Sequence, residues 1–224
     1  MLGAILPILI GVVIAGVLFL YALHTFRKKS VLLMKAVYAD RDYDQYRKLL
    51  KSLSCKLFLS KKQRLILNMA VCIGENNDEE LLAVFQQLQR QKLLPQEMLD
   101  LYCNKLRYYI KKGDQQNVEE LYEEVNEAFK EETASYIKGI LKEIYYMYEV
   151  DYKENEQLLN EMKQLYGNIT VEQSKGIFAA RCTRLYLKKH DTENAKNYYK
   201  KACACLDKDI VQELLCGCDL NVLS

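Results

Sequence analysis

Residues 186–202 read YLKKHDTENAKNYYKKA, and their pattern predicts two helices joined by a polar turn. Asp191 sits in the turn, and Asp is a preferred N-cap because its side chain accepts a hydrogen bond from the exposed amides of a first helical turn. Apolar or aromatic side chains then follow at four, seven, eight and eleven residues, which places them on one helix face. The stretch therefore predicts an amphipathic second helix of a helical hairpin, with Ala195, Tyr198, Tyr199 and Ala202 facing inward.

The same pattern recurs along the chain with separations of 35, 37, 37 and 40 residues. An Asp or Asn opens each copy, and of the twenty apolar positions that follow, only Asn155 departs from the pattern. Regular recurrence at such a period is typical of repeat proteins built from supersecondary units. The predicted caps are Asp42, Asn77, Asp114, Asp151 and Asp191.

First helices are expected before the caps, over residues 61–73, 95–112, 133–150 and 170–189. Ser60 with Gln63, and Thr170 with Gln173, match the capping box that opens a helix. Pro95 fits a first helical turn, where its missing amide costs nothing. The low content of glycine and proline, 9 and 2 residues, argues against an all-β fold, so we expect an all-α chain.

The hairpin of residues 186–202 resembles the tetratricopeptide repeat (TPR) family, with Tyr186, Ala195, Tyr199 and Ala202 at the family's packing positions. His190 stands where the family has a turn glycine. The resemblance implies an α-solenoid of about five hairpins over residues 30–206, followed by a capping helix or tail over residues 207–224. It also implies a concave face, lined by first helices, that binds proteins or peptides, and it implies no catalysis.

The family's groove geometry, carried over to this chain, places seven first-helix residues on the concave face. Four of the seven are basic, which favours an acidic peptide or a carboxylate as partner. The alternative is that long basic side chains near helix ends only cap carbonyl groups and solvate the surface. The seven are Asn104, Arg107, Lys111, Ile144, Tyr148, Arg184 and Lys188.

Residues 2–23, LGAILPILIGVVIAGVLFLYAL, carry no charged side chain and are followed by Arg27, Lys28 and Lys29. At a rise of about 1.5 Å per residue, the stretch would span roughly 33 Å, enough for a hydrocarbon core of about 30 Å. The sequence therefore predicts a transmembrane helix within residues 1–29. Because basic residues flank such helices on the cytoplasmic side, we expect the N-terminus outside and the helical body in the cytoplasm, at a bacterial plasma membrane since no organelle signal is present.

The sequence contains no candidate catalytic residues. The histidines number 2, His24 and His190, and neither belongs to a recognisable nucleophile and base pair. The 9 glycines form no phosphate-binding loop, so we expect no enzyme activity and no cofactor. A net charge of +2 also argues against a nucleic-acid partner.

Two CxC motifs near the C-terminus carry four cysteines, enough for a tetrahedral zinc ion. Side chains two residues apart on a helix point about 200° apart, however, which disfavours one shared metal. The other interpretation makes them small packing residues. They are Cys203, Cys205, Cys216 and Cys218.

These observations predict a membrane-tethered, TPR-like scaffold or adaptor that binds a protein or peptide partner at the cytoplasmic face. One alternative is a metal- or thiol-dependent regulatory protein that uses the C-terminal cysteines. Another is a structural subunit of a larger membrane complex, or a homo-oligomer, because Gly3, Gly11 and Ala15 form a small-residue face within the span.

Overall fold

A computed structural model describes residues 18–30, 32, 42–131 and 134–223. Within these residues the regular elements are all helices, and no strand is formed. The chain divides into two compact units, Met1–Leu93 and Leu94–Ser224. The predicted all-helical, repeat-like fold is confirmed, with helices packed in pairs. The predicted boundaries of the repeat domain at residues 30 and 206 stay a prediction.

The prediction of an N-terminal transmembrane helix is corrected by the structure. Across the described ranges, no helix is both long enough and apolar enough to cross a membrane. The helix described at this end, α1, covers residues 18–30, and Arg27, Lys28 and Lys29 lie in its last turn. Residues 2–17 of the predicted span lie outside the described part of the chain. The finding contradicts the single-pass topology and the membrane localisation that were predicted from the span.

The helices that follow α1 in the first unit are α2 (Tyr43–Leu50), α3 (Leu53–Phe58), α4 (Lys61–Glu75) and α5 (Asp78–Gln89). Helices α1 to α4 contribute to a small apolar core. The core contains Tyr46, Leu50, Cys55 and Val71, and Phe26 of α1 packs against it.

The second unit consists of helical hairpins and a C-terminal segment. Its helices are α6 (Pro95–Lys112), α7 (Gln115–Ala128), α8 (Ser135–Tyr146), α9 (Leu159–Asn168), α10 (Glu172–Lys188), α11 (Thr192–Cys205) and α12 (Lys208–Leu214), with 3-10 turns at Glu156–Leu158 and Leu220–Leu223. Helix α6 packs on α7 and α8, and α10 packs on α9, α11 and α12. A π-helix, Met147–Tyr152, continues directly from α8 and also contacts α10.

One turn geometry closes three of the hairpins. A residue with left-handed backbone, φ between 53° and 67°, precedes an Asp or Asn whose side chain accepts a hydrogen bond from the amide three residues on. The pairs are Asn76 and Asn77, Gly113 and Asp114, and His190 and Asp191. Glycine adopts a positive φ without steric cost, so His190 occupies the place of a turn glycine at a cost of about 1 kcal/mol.

The helix starts follow the capping predictions in two cases and depart from them in a third. Ser60 and Gln63 form the predicted capping box, with hydrogen bonds of 3.2 and 2.9 Å. Pro95 is the first residue of α6, as predicted. Helix α10 instead begins after Val171, and no side chain caps it, so the capping box predicted at Thr170 is wrong.

The predicted cap at Asp151 is also wrong, by four residues. Asp151 lies inside the π-helix, and the side chain of Asn155 accepts the hydrogen bond from the Gln157 amide instead. Asn155 breaks the apolar pattern of the sequence because it is itself the cap. A π-helix takes up extra residues without ending the helix, which displaces the cap from its expected position.

Helix α10 lies at the centre of the second unit. Every residue from 178 to 186 is buried, including Arg181 and Arg184. Small residues allow α11 to approach closely, and a Cβ at Gly176 would lie 2.5 Å from Leu206 Cγ. The cationic side chains of α10 are therefore held inside the unit, where they need partners.

Candidate partner-binding face

The seven residues predicted to bind a partner come from the first helices of the second unit. Each first helix contributes two or three of the seven residues. Some of the seven lie in the core, and the others lie at the surface. Asn104, Arg107 and Lys111 lie on α6, Ile144 and Tyr148 on α8 and the π-helix, and Arg184 and Lys188 on α10.

A row of charged side chains connects these first helices. Nη2 of Arg107 lies 4.0 Å from Oε1 of Glu143 on α8. Glu143 in turn accepts hydrogen bonds of 3.0 and 2.7 Å from the guanidinium of Arg181 on α10. Arg181 also donates to both carboxylate oxygens of Asp151 in the π-helix, at 3.0–3.3 Å. We call Arg107, Glu143, Arg181 and Asp151 the polar row.

Arg181 is the buried centre of the polar row, with 3% of its side chain exposed. Its guanidinium carbon lies 5.7 Å from the ring centre of Tyr146 and 5.5 Å from that of Phe178. Burial by itself lowers the pKa of Arg181, but the charges of Asp151 and Glu143 outweigh it and raise the pKa above its ordinary value. The side chain therefore stays charged and acts as a fixed link between α8 and α10.

Arg184 is covered by the C-terminal segment of the chain. It donates hydrogen bonds to the backbone carbonyls of Leu214 and Cys216, at 2.8 and 2.9 Å, and to Glu154 at 3.3 Å. Lys188, one turn further along α10, lies 3.3 Å from the same Glu154 carboxylate but stays exposed. A partner protein cannot reach Arg184 in this structure, whereas Lys188 is accessible.

The two predicted cations of α6 lie at the surface. Arg107 is 58% exposed, and Lys111 Nζ lies 3.0 Å from Glu213 of α12. Asn104 is half-buried and donates to the Asp100 carbonyl of its own helix at 2.7 Å. Arg107, Lys111 and Lys188 are thus the predicted cations that a partner can contact.

Ile144 and Tyr148 face the interior of the hairpin. Ile144 belongs to the apolar core formed by α6, α7 and α8. The ring of Tyr148 stacks on Tyr122 of α7 with a centre distance of 3.7 Å, and its hydroxyl donates to Glu119. Burial, together with that hydrogen bond, raises the pKa of Tyr148 to about 12. Both side chains hold α8 against α7.

Sequence reasoning missed the acidic partners of the predicted cations. Three carboxylates face Arg107, Lys188 and Lys111 in turn. Each carboxylate belongs to a different helix or turn from the cation that it faces. They are Glu143, Glu154 and Glu213. The one local signal was Arg181, a lone cation within the apolar stretch IFAARC, residues 177–182, which indicates a buried charge that requires a partner.

The structure does not gather the four C-terminal cysteines into one group. In the part of the chain that the structure covers, no three His, Cys, Asp or Glu side chains are grouped so that they could hold a metal ion. Cys203 and Cys218 pack against the core, and Cys216 is exposed. Burial raises the pKa of the Cys218 thiol, which disfavours the thiolate that metal binding needs.

Comparisons of the chain with known protein families, with curated proteins and with solved structures find no match.

Proposed function

We propose that the chain is a protein-binding helical-repeat adaptor of TPR-like design. In this proposal the exposed cations of the first helices in the second unit contact a protein or peptide partner. The observation that supports it most is that the polar row links α6, α8 and α10, while Arg107, Lys111 and Lys188 of these helices stay exposed. The proposal involves no catalytic step.

The charge arrangement favours a partner with carboxylate groups. Each exposed cation already lies near one carboxylate of the chain, within 3.0–4.0 Å. Exposed ion pairs contribute only about 0–1 kcal/mol each, so a carboxylate of the partner can replace an internal one at little cost. Buried Arg181 and Arg184 bind the same carboxylates that face Arg107 and Lys188, Glu143 and Glu154.

Site-specific photo-crosslinking tests the proposal. A photoreactive amino acid at position 107 should crosslink a partner in cells, while the same amino acid at position 127 should not. Glu127 is a suitable control because it lies on α7, a second helix, and its side chain is 80% exposed. Crosslinking of the same partner with equal yield at both positions would contradict the proposal.

A charge reversal provides the second measurement. Arg107→Glu/Lys188→Glu should lower the recovery of that partner by about tenfold or more, because it places like charges opposite the partner's carboxylates. Lys130→Glu/Lys200→Glu changes the net charge equally at two exposed positions outside the first helices, one in the turn after α7 and one on α11, and should leave recovery unchanged. If the first variant recovers the partner as the control does, the first-helix face is not the binding site.

A further inference from the structure

The first unit contains a cleft that none of the seven predicted residues lines. It has a volume of about 290 Å³ and lies between the end of α2, α3 and one face of α4. Its size is at the lower end of the range for ligand pockets. It accommodates one or two side chains of a bound peptide, with the rest of the peptide outside.

Cations dominate the lining of the cleft. Basic residues contribute five of its side chains, and Glu80 contributes its one carboxylate. That carboxylate is already engaged, since Glu80 accepts hydrogen bonds of 2.9 Å from both Arg47 and Asn68. The basic residues are Arg47, Lys51, Lys56, Lys61 and Arg64.

Three of these cations have no partner in the described structure. Arg47 is paired with Glu75 and Glu80, and the charge of Lys51 acts on Glu80. Among the residues that the structure covers, no carboxylate lies within 4.0 Å of the charged nitrogens of Lys56, Lys61 or Arg64. Like charges gathered in one cleft repel each other, so a bound anion would relieve this repulsion.

The floor of the cleft is apolar. Leu50, at the end of α2, is buried, and Leu65 of α4 is half-buried. Lys61, Arg64 and Leu65 lie three and four residues apart, so they share one face of α4. The cleft therefore combines a cationic rim with a floor that suits an aliphatic side chain.

We propose that this cleft binds an acidic peptide segment of a partner protein, with an aliphatic side chain on the floor and the flanking carboxylates on the rim. A small inorganic anion would leave the leucine floor uncovered. Single-stranded nucleic acid is recognised by stacking on aromatic side chains, and none lines the cleft. The site is independent of the face proposed above, because it lies entirely within the first unit.

Fluorescence anisotropy on the full chain tests the proposal with a short, fluorescein-labelled peptide in which glutamate and leucine alternate. We expect saturable binding that weakens as the salt concentration rises from about 0.05 to 0.3 M, because salt screens the rim charges. An all-glutamate peptide of the same length should bind at least about fivefold more weakly, since it cannot cover the apolar floor. Equal binding of the two peptides would show that the floor plays no part and would overturn the proposal.

Matched charge reversals locate the binding. Lys56→Glu/Lys61→Glu should weaken binding of the alternating glutamate and leucine peptide by about tenfold or more. Lys48→Glu/Arg90→Glu should have little effect on that binding. All four side chains are exposed in the first unit, and the control pair lies outside the cleft. Equal losses in both variants, or no loss in either, would overturn the proposal. Circular dichroism of each variant verifies that the helices are kept.

Three further ligands separate this chemistry from others. Inorganic pyrophosphate should displace the peptide only at large excess, and displacement at equal concentration would show a simple anion site instead. A short single-stranded RNA and vesicles that contain phosphatidylserine should both bind more weakly than the peptide. Tighter binding of either one, lost in Lys56→Glu/Lys61→Glu, would assign the cleft to that other class and overturn the proposal.

Discussion

Replacing Arg181 with methionine would test whether the polar row holds the second unit together. Methionine keeps much of the side-chain volume but removes the charge and all the hydrogen-bond donors. In the native protein these donors serve both carboxylates of the row, with contacts as short as 2.7 Å to Glu143 and 3.0 Å to Asp151. The substitution therefore leaves two carboxylates facing an apolar side chain.

The expected loss of stability follows from the burial of the three groups. Removing one member of a buried ion pair costs about 3–5 kcal/mol, because the remaining charge is uncompensated. Here the carboxylates of Glu143 and Asp151 are 30% and 17% exposed, so water recovers part of that cost. Loss of the contacts between the guanidinium and the aromatic rings adds about 0.5–1 kcal/mol. We expect about 3 kcal/mol in total, which is roughly a 150-fold change in the unfolding equilibrium.

Native-state hydrogen exchange of the full chain, followed by mass spectrometry, measures this loss where it occurs. A single denaturation midpoint would not suffice, since the chain has two units that need not unfold together. Peptides from α10 should lose about 3 kcal/mol of protection, while those from α4 and α5 should be unchanged.

Arg107→Met is the matched control for this measurement, because Arg107 faces the same Glu143 carboxylate from 4.0 Å and is exposed. It should cost less than about 0.5 kcal/mol. A loss at α10 below about 1 kcal/mol in Arg181→Met, or equal losses in the two variants, would refute the assignment of Arg181 as the central link.

Two further predictions concern packing and pH. Gly176→Ala should lower the free energy of unfolding by about 1–3 kcal/mol, because the added Cβ would lie 2.5 Å from Leu206 Cγ. At Gly139 an added Cβ meets open space, so Gly139→Ala should stabilise α8 by about 0.5–1 kcal/mol. Native-state hydrogen exchange in α10 and α8 checks that the two signs are opposite. Hydrogen bonds, first of all from Arg47, lower the pKa of Glu80 below its ordinary value of 4.5. Ionised Glu80 therefore stabilises the first unit above pH 4.5, and this stabilisation is lost as the pH falls through the lowered pKa. Glu80→Gln should remove this pH dependence from hydrogen exchange in α4, and an unchanged dependence would contradict it.

The helical hairpins were predictable because their signals are local. A cap such as Asp191 binds an amide three residues away, so both partners lie within one turn of sequence. His190 could be recognised as the turn residue for the same reason, since the cap follows it directly. Pro95 and the pair of Ser60 and Gln63 are likewise short-range features that need no tertiary information. The apolar spacing then supplied the buried face of each second helix.

The charge pairing of the second unit could not be predicted, because its partners lie far apart in the sequence. Arg181 meets Glu143 across 38 residues, and Lys111 meets Glu213 across 102. The π-helix explains the wrong cap prediction, because Asp151 lies inside it and pairs with Arg181 instead of capping a helix. The resemblance to the TPR family likewise gave no indication that the C-terminal segment would cover Arg184.

The two units differ in what their cations do for folding. Arg181 is buried and fully paired, so its removal acts on stability before it acts on any partner. Lys56 and Lys61 are exposed and unpaired within the described structure, and their mutual repulsion works slightly against the fold. Packing gives no reason to gather unpaired cations around the apolar floor of Leu50, because an unpaired charge contributes nothing to a core. Binding does give one, since an acidic partner gains from every unpaired cation and displaces no internal carboxylate. We therefore expect the pairing of each cation, more than the number of basic residues on a face, to mark the site of the proposed acidic partner.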